Sequence, residues 1–209
     1  HGGMQAAASL REEGFTGPIT LLSDDPHAPY QRPPLSKAYM KGEATADSLI
    51  LRGPAYYPDK QIDLLLGERA VSIDRAAKTV TLASGAVHAY DHLILATGAD
   101  PRPAPFAGTE LDGVLQLRDM NDAAKVKAKL EMARNVVVVG AGFIGLEFAA
   151  TAAAKGCDVQ VVEVAPRVMG RAVSKAISDF YAEAHRGFGV HLHLGVGVAG
   201  LEGAGGKVV

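Results

Sequence analysis

Val136-Val137-Val138-Val139-Gly140-Ala141-Gly142-Phe143-Ile144-Gly145-Leu146-Glu147 is the stretch that decides how this chain folds. An unbroken β-branched run reads as a strand buried on both faces of a parallel sheet. It leads directly into G-x-G-x-x-G, and the alanine-rich segment to Lys155 supplies turn and helix. Val159 to Glu163 then reads as a second strand, which completes a βαβ unit. Glycine at 140, 142 and 145 lets the backbone turn tightly and brings amides and the positive helix end against a diphosphate. Glu163 closes the second strand 18 positions after Gly145, where a carboxylate accepts the hydroxyls of an adenosine ribose. Gly140, Gly142, Ile144, Gly145 and Glu163 are therefore expected to hold a dinucleotide.

The same carboxylate argues for NADH over NADPH. Set against a 2'-phosphate at about 4 Å, it opposes binding by a few kcal/mol even at an effective dielectric of about 20. Arg167 and Arg171 lie just beyond and offer the opposite charge. Upstream the pattern recurs. Gly3, an alanine-rich helix, Gly14, the Ile19 strand and Asp24 line up with Gly145, its helix, Gly156, the Val159 strand and Glu163. In the first copy Gly2 and Gly3 are what remains of a glycine turn, and Asp24 or Asp25, 21 or 22 positions after Gly3, is expected to hold a second ribose. Two dinucleotide sites in one chain mean FAD together with a nicotinamide nucleotide.

Outward from these units, Met4 to Glu13 reads as helix with Gly14 as its C-cap. Pro26 to Leu35 reads as loop, and Ser36 as a cap for a short helix starting at Lys37. Ile62–Leu66, Ala70–Ile73 and Thr79–Leu82 read as one small antiparallel element. Tyr90 to Gly98 reads as a buried strand, Pro101 to Pro105 as a linker, Asn121 to Met132 as helix, and His191–Leu194 as strand. Length bounds the whole, since 209 residues suit one large or two small cores. A hydrophobic fraction of 48% with 21% charged residues is that of a packed protein. The formal charge of -2 gives no pull on phosphate backbones, which argues against nucleic acid. No apolar run approaches the ~20 residues of a membrane span. A lone Cys157 can form neither an internal disulfide nor a Cys-x-x-Cys pair, which fits a reducing cytoplasm. A start at His1 and an end at Val209 in mid-pattern make truncation at both ends the expectation.

Pro29-Tyr30-Gln31-Arg32-Pro33-Pro34-Leu35-Ser36-Lys37, followed by Leu93-Ile94-Leu95-Ala96-Thr97-Gly98 and by Gly140 to Glu147, resembles the ferredoxin reductases of bacterial oxygenase systems. The likeness runs along essentially the whole chain, and Pro-Pro-Leu-Ser-Lys is its most specific part. It implies that Asp24 binds FAD, that Lys37 lies by the flavin ring, and that Arg118 and the backbone of Ala70 also touch FAD. Arg32, Thr97 and Gly98, in the segments that carry the likeness, are counted with them, as are Gly2 and Gly3. It further implies that Glu147 faces the nicotinamide and that Glu163 and Arg171 meet the adenosine end of NAD. A proline-braced lysine beside the ring favours the negative charge gained on reduction. Glu147 is expected in the first turn of its helix, where the dipole welcomes a carboxylate in any case.

The expected fold is a doubly wound, Rossmann-like α/β arrangement of two nucleotide-binding units, FAD-binding over 1–108 and NAD-binding over 109–209. The expected activity is electron transfer from NADH through FAD to a ferredoxin or similar small iron-sulfur protein. Another acceptor, such as nitrite or a quinone, or an NADH-sensing flavoprotein similar to apoptosis-inducing factor, are the alternatives. Relatives that work through a redox cysteine against the flavin are disfavoured, because the first half has none. No side chain is expected to act as acid or nucleophile, since hydride transfer is promoted mainly by positioning. His185, His191 and His193 are scattered with no acidic partners expected, so no metal site is assigned.

Overall fold

The computed structural model describes residues 1–209. In chain order its elements are α1 (Gly2–Glu12), β1 (Ile19–Ser23), a 3-10 turn at Pro33–Ser36, α2 (Ala38–Lys41), α3 (Tyr56–Asp59), β2 (Ile62–Leu66), β3 (Ala70–Asp74), β4 (Thr79–Leu82) and β5 (Val87–Ala89). There follow α4 (Met120–Leu130), β6 (Asn135–Val139), α5 (Phe143–Ala154), β7 (Asp158–Glu163), α6 (Lys175–Gly187), β8 (Val190–Leu194), β9 (Gly203–Ala204) and β10 (Lys207–Val208). They form two compact units, one of His1–Gln31 with Asp47–Asp100, the other of Arg32–Ala46 with Pro101–Val209. The division falls after Asp100, and the short segment Arg32–Ala46 packs with the second unit although it interrupts the first. No helix is long and apolar enough to cross a membrane.

In the first unit β1 and β2 run parallel, Ile19 opposite Ile62 and Ser23 opposite Leu66. The Ile62 strand therefore belongs to a parallel sheet and not to the antiparallel element expected for it. Only β3, β4 and β5 form that element, with an irregularity between Ala70 and Ser72. Beneath the parallel pair lie Ala7, Tyr57 and Ile62, with Ile19, Leu21, Tyr56 and Leu64 packed against them. Tyr57 carries a buried hydroxyl without a hydrogen-bond partner, and burial pushes its phenol above the usual range. One arginine fastens the end of α1 to the turn before β2. Arg11 donates through Nε to the Lys60 carbonyl at 2.7 Å, through Nη2 to Gln61 at 2.8 Å, and through Nη1 to Phe15 and Gly17 at 2.6 and 2.8 Å.

Leu93 to Gly98 is not the buried strand expected. All of Asp91–Asp100 is exposed and unpaired, with Leu95 67% exposed. A strand exists only against a neighbour, and no strand of this chain lies beside it. Pro33–Leu35, expected as loop, closes a 3-10 turn with Ser36 because the two prolines set φ and need no donor.

In the second unit β6, β7 and β8 form a parallel sheet in that order, with Val136 opposite Val159 and Val159 opposite Val190. Helix α5 packs on β6 and β7, and α6 on β8. The valine strand is covered on one side only: Val138 is 9% exposed, Val137 63% and Val139 50%. The reading of two covered faces fails there because the face that carries Val138 is buried and the face that carries Val137 and Val139 is not. Helix α6 had no counterpart in the sequence reading. Ser174 caps it, and Ser178, Ala182 and His185 form its buried stripe. Helix α4 has a capping box, in which Asp119 accepts from the Asp122 amide and Asp122 reaches back to the Asp119 amide. Lys129 on α4 holds Asp112 at 2.8 Å, which keeps that carboxyl below the usual carboxylate range.

Replacing Arg11 by alanine leaves four carbonyls without their donor. We expect a loss of roughly 2 kcal/mol in unfolding free energy, measured by urea titration, and only partial recovery with Arg11→Lys, whose ammonium cannot serve a planar fork of acceptors.

Candidate functional site

The glycine turn of the second unit uses its three glycines for three different reasons. Gly140 has φ +106°, a conformation that side chains resist, and donates to the Val162 carbonyl at 2.8 Å. At Gly145 a Cβ would stand 2.1 Å from the Gly140 carbonyl oxygen, so helix and strand close only on glycine. Gly142 caps α5 with extended backbone, and a Cβ there would meet nothing within 4 Å. The space before Gly142 is open, as an approaching phosphate requires. Ile144 and Phe143 on this first turn are half exposed.

Glu163 ends β7 and turns its carboxylate back on this turn. Oε2 accepts from the Ala141 amide at 2.8 Å and Oε1 from the Ala165 amide at 2.8 Å. Each oxygen keeps a lone pair, so the group can still accept ribose hydroxyls while its orientation is fixed. The following loop is fixed as well. Met169, at φ +48°, donates its amide to the Ala141 carbonyl at 2.8 Å, and the buried Ser178 hydroxyl donates to Val168 at 2.6 Å. Arg167 is spent inside this loop on the carbonyls of Val173 (2.8 Å) and Gly170 (2.6 Å), whereas Arg171 is exposed.

Glu147 falls one residue beyond the first turn of α5, not within it as expected. Two donors of the proline segment hold it. Lys37 Nζ lies 3.0 Å from Oε1, and the Ser36 hydroxyl donates to Oε2 at 2.6 Å. Ser36 therefore does not cap α2; the position before that helix is Lys37, which makes no side-chain cap. Sequence reasoning missed Ser36 because a serine before a helix has a more ordinary use. Arg118, whose amide donates to Asp122 Oδ2 at 3.0 Å, has a buried Nε without a partner. Such an orphaned donor fits a bound group with acceptors, as the FAD role implied for it requires. Arg32 is exposed at the start of the turn.

In the first unit Gly2 and Gly3 sit inside α1, not in a preceding turn, just as Gly145 sits inside α5. A Cβ on Gly3 would come 3.1 Å from Leu21 and 3.5 Å from Ala96, which neighbours Thr97 and Gly98. Of the two acids after β1, Asp25 is taken up locally, accepting from the Tyr30 hydroxyl at 2.9 Å and the His27 amide at 3.0 Å. Asp24 is 59% exposed and pairs with Arg69 at 3.1 Å, next to Ala70 at the start of β3. Asp24 thus has the more exposed carboxylate of the two.

The histidines have structural partners. His191 stands 3.8 Å from Asp158, an acidic neighbour the sequence reading did not expect, which the parallel pairing of β7 and β8 creates. His193 meets Gln160 at 2.7 Å, and buried His185 meets the carbonyls of Tyr181 and Leu146 at 2.8 and 3.1 Å. No group of His, Cys, Asp or Glu has the arrangement of a metal site.

Residues 1–209 match the family model described as pyridine nucleotide-disulphide oxidoreductase. Among curated proteins the chain is 47% identical over 205 residues to rhodocoxin reductase of Rhodococcus erythropolis, covering 98% of this chain and 48% of that protein. Among solved structures it matches the ferredoxin reductase for the CYP199A2 system from Rhodopseudomonas palustris, with TM-score 0.95 and 45% identity over 99% of this chain and 51% of the other. It also matches the covalent putidaredoxin reductase–putidaredoxin complex, with TM-score 0.94 and 39% identity over 98% of this chain and 50% of the other. The chain spans about half the length of the relatives it matches.

The glycines allow a separation of fold from binding. Gly145→Ala should destabilise the protein by about 1–3 kcal/mol through overpacking. Gly142→Ala should change unfolding by less than about 0.5 kcal/mol yet weaken NADH binding tenfold or more; thermal unfolding and calorimetric titration decide both.

Proposed function

This chain belongs to the pyridine nucleotide-disulphide oxidoreductase family, and on that premise we propose that it takes electrons from NADH through FAD and delivers them to a ferredoxin or similar small iron-sulfur protein of an oxygenase system. The observation that carries the reading is the Ser36–Glu147–Lys37 constellation on a proline-braced turn, in a chain whose relatives by name are redoxin reductases along its whole length. FAD, when bound, supplies the chemistry of accepting a hydride and releasing electrons singly.

The residues of this chain do the holding. Asp24 receives the ribose of FAD, with Gly2, Gly3, the backbone of Ala70, Thr97, Gly98, Arg32 and the unpartnered Nε of Arg118 as further contacts. Gly140, Gly142, Ile144 and Gly145 receive the diphosphate of NADH on the amides of α5, and Glu163 receives its ribose. Arg171, exposed beyond β7, lies by the adenosine end. Lys37 favours negative charge on the ring system beside it, and Glu147 both orients that lysine and borders the nicotinamide. None of these groups is asked to accept a proton from substrate, so positioning carries the rate. A thiol left unpaired at Cys157 suits the cytoplasm, where we place the protein.

The test is the visible spectrum of the purified protein with flavin bound. NADH should bleach the flavin bands, NADPH at equal concentration should do so at least tenfold more slowly, and a ferredoxin should restore them faster than nitrite or a quinone. A protein that no flavin colours, or a flavin that NADH leaves oxidised, rules the proposal out. Glu163→Ala should weaken NADH about tenfold or more, and because Arg167 is committed to its own loop only the exposed Arg171 is left to favour NADPH; initial rates with both donors measure this.

A further inference from the structure

Serine at position 36 has two ordinary uses at the start of α2, capping the helix or facing water, and it serves neither. Its side chain is buried, at 5% exposure, and its hydroxyl crosses to Glu147 Oε2 at 2.6 Å, within the range of a charge-assisted O–H···O⁻ bond. Lys37, the other partner of that carboxylate, has a side chain 52% exposed, and Glu147 is 27% exposed. An ion pair made by a long, solvated lysine is worth little and leaves the carboxylate free to follow the ammonium. A hydrogen bond from the short hydroxyl of a buried residue fixes it far better. The serine is itself held from behind. Pro33 and Pro34 set the 3-10 turn, the Leu35 amide donates to the Arg32 carbonyl and the Lys37 amide to the Pro34 carbonyl, both at 3.0 Å.

We propose that Ser36 is the positioning residue of the electron-transfer site, the group that locks the Glu147 carboxylate and through it sets where the Lys37 ammonium stands. The assignment rests on the reading above, in which Lys37 lies by the flavin ring and Glu147 by the nicotinamide. The Ser36 hydroxyl is spent on Glu147. Its effect passes through Glu147, so it governs how fast the bound pair reacts more than how tightly NADH is held.

The experiment is a double-mutant cycle of Ser36→Ala and Glu147→Gln in the FAD-loaded protein, read by stopped-flow bleaching of the flavin and, independently of turnover, by thermal unfolding. Ser36→Ala is expected to slow the limiting bleaching rate about tenfold, a change of about 1.4 kcal/mol, with the half-saturating NADH concentration moving less than about twofold. The double variant is expected to be no slower than Glu147→Gln alone, and the two effects on the unfolding constant to be non-additive by about fivefold or more. Bleaching by Ser36→Ala at the wild-type rate, or slowing that multiplies in the double variant, overturns the assignment while leaving the wild-type reaction intact. A wild-type flavin that NADH does not bleach removes the functional reading and this assignment together.

Discussion

No side chain fits between the α-carbon of Gly145 and the carbonyl oxygen of Gly140, where a Cβ would stand at 2.1 Å. Closure at this point lets α5 follow β6 after only the tight turn Gly140–Gly142, so its first amides face outward at the carboxyl edge of the sheet. The open space before Gly142 and the left-handed turn at Gly140 follow from the same closure. Glu163, by accepting the Ala141 amide, ties the end of β7 to the middle of this turn, and Met169 ties the next loop to the Ala141 carbonyl. The glycine turn, the Glu163 carboxylate and the loop behind them are thus one hydrogen-bonded piece.

Helix α5 also fixes the second half of the site. Because its axis is set at Gly145, Glu147 emerges at a defined height, and the proline turn Pro33–Ser36 lies against the same helix. Two residues adjacent in sequence then reach the two oxygens of one carboxylate, one as a buried neutral donor and one as an exposed cation. The division matters physically. The cation supplies field but is mobile; the hydroxyl supplies geometry but little field. Neither alone gives a charge at a fixed place.

Much of this was legible in the sequence wherever a local rule and the tertiary fold agree. The alignment of Gly3 with Gly145 and of Asp24 with Glu163 survives in the helices α1 and α5 and in the ends of β1 and β7. Illegible parts depend on what lies beside a segment and not on what it contains. Ile62–Leu66 alternates like an antiparallel strand, yet it pairs parallel to β1 because the turn at Arg11 and Gln61 returns the chain to the head of the sheet. Leu93 to Ala96 has the composition of a buried strand and no partner to pair with. Asp25 was as good a ribose acceptor as Asp24 until Tyr30, five residues on, claimed it. Ser36 was invisible because its partner lies 111 positions away.

Arg167 shows why charge near a binding motif is a poor guide to specificity. In sequence it stands four residues after Glu163, well placed to meet a 2'-phosphate and to compete with the carboxylate's preference. In the fold its guanidinium closes the loop it belongs to, donating to Val173 and Gly170, and any reach toward a phosphate would orphan both carbonyls. Two hydrogen bonds to a charged donor are worth about 1.5–3 kcal/mol each, comparable to the attraction a solvated phosphate would offer at contact distance. Glu163 is held in place by the Ala141 and Ala165 amides and cannot swing away to make room. On the proposed reading Glu163 would oppose a 2'-phosphate and Arg167, already engaged, would not offset it, which leaves the exposed Arg171 as the remaining cation of this stretch.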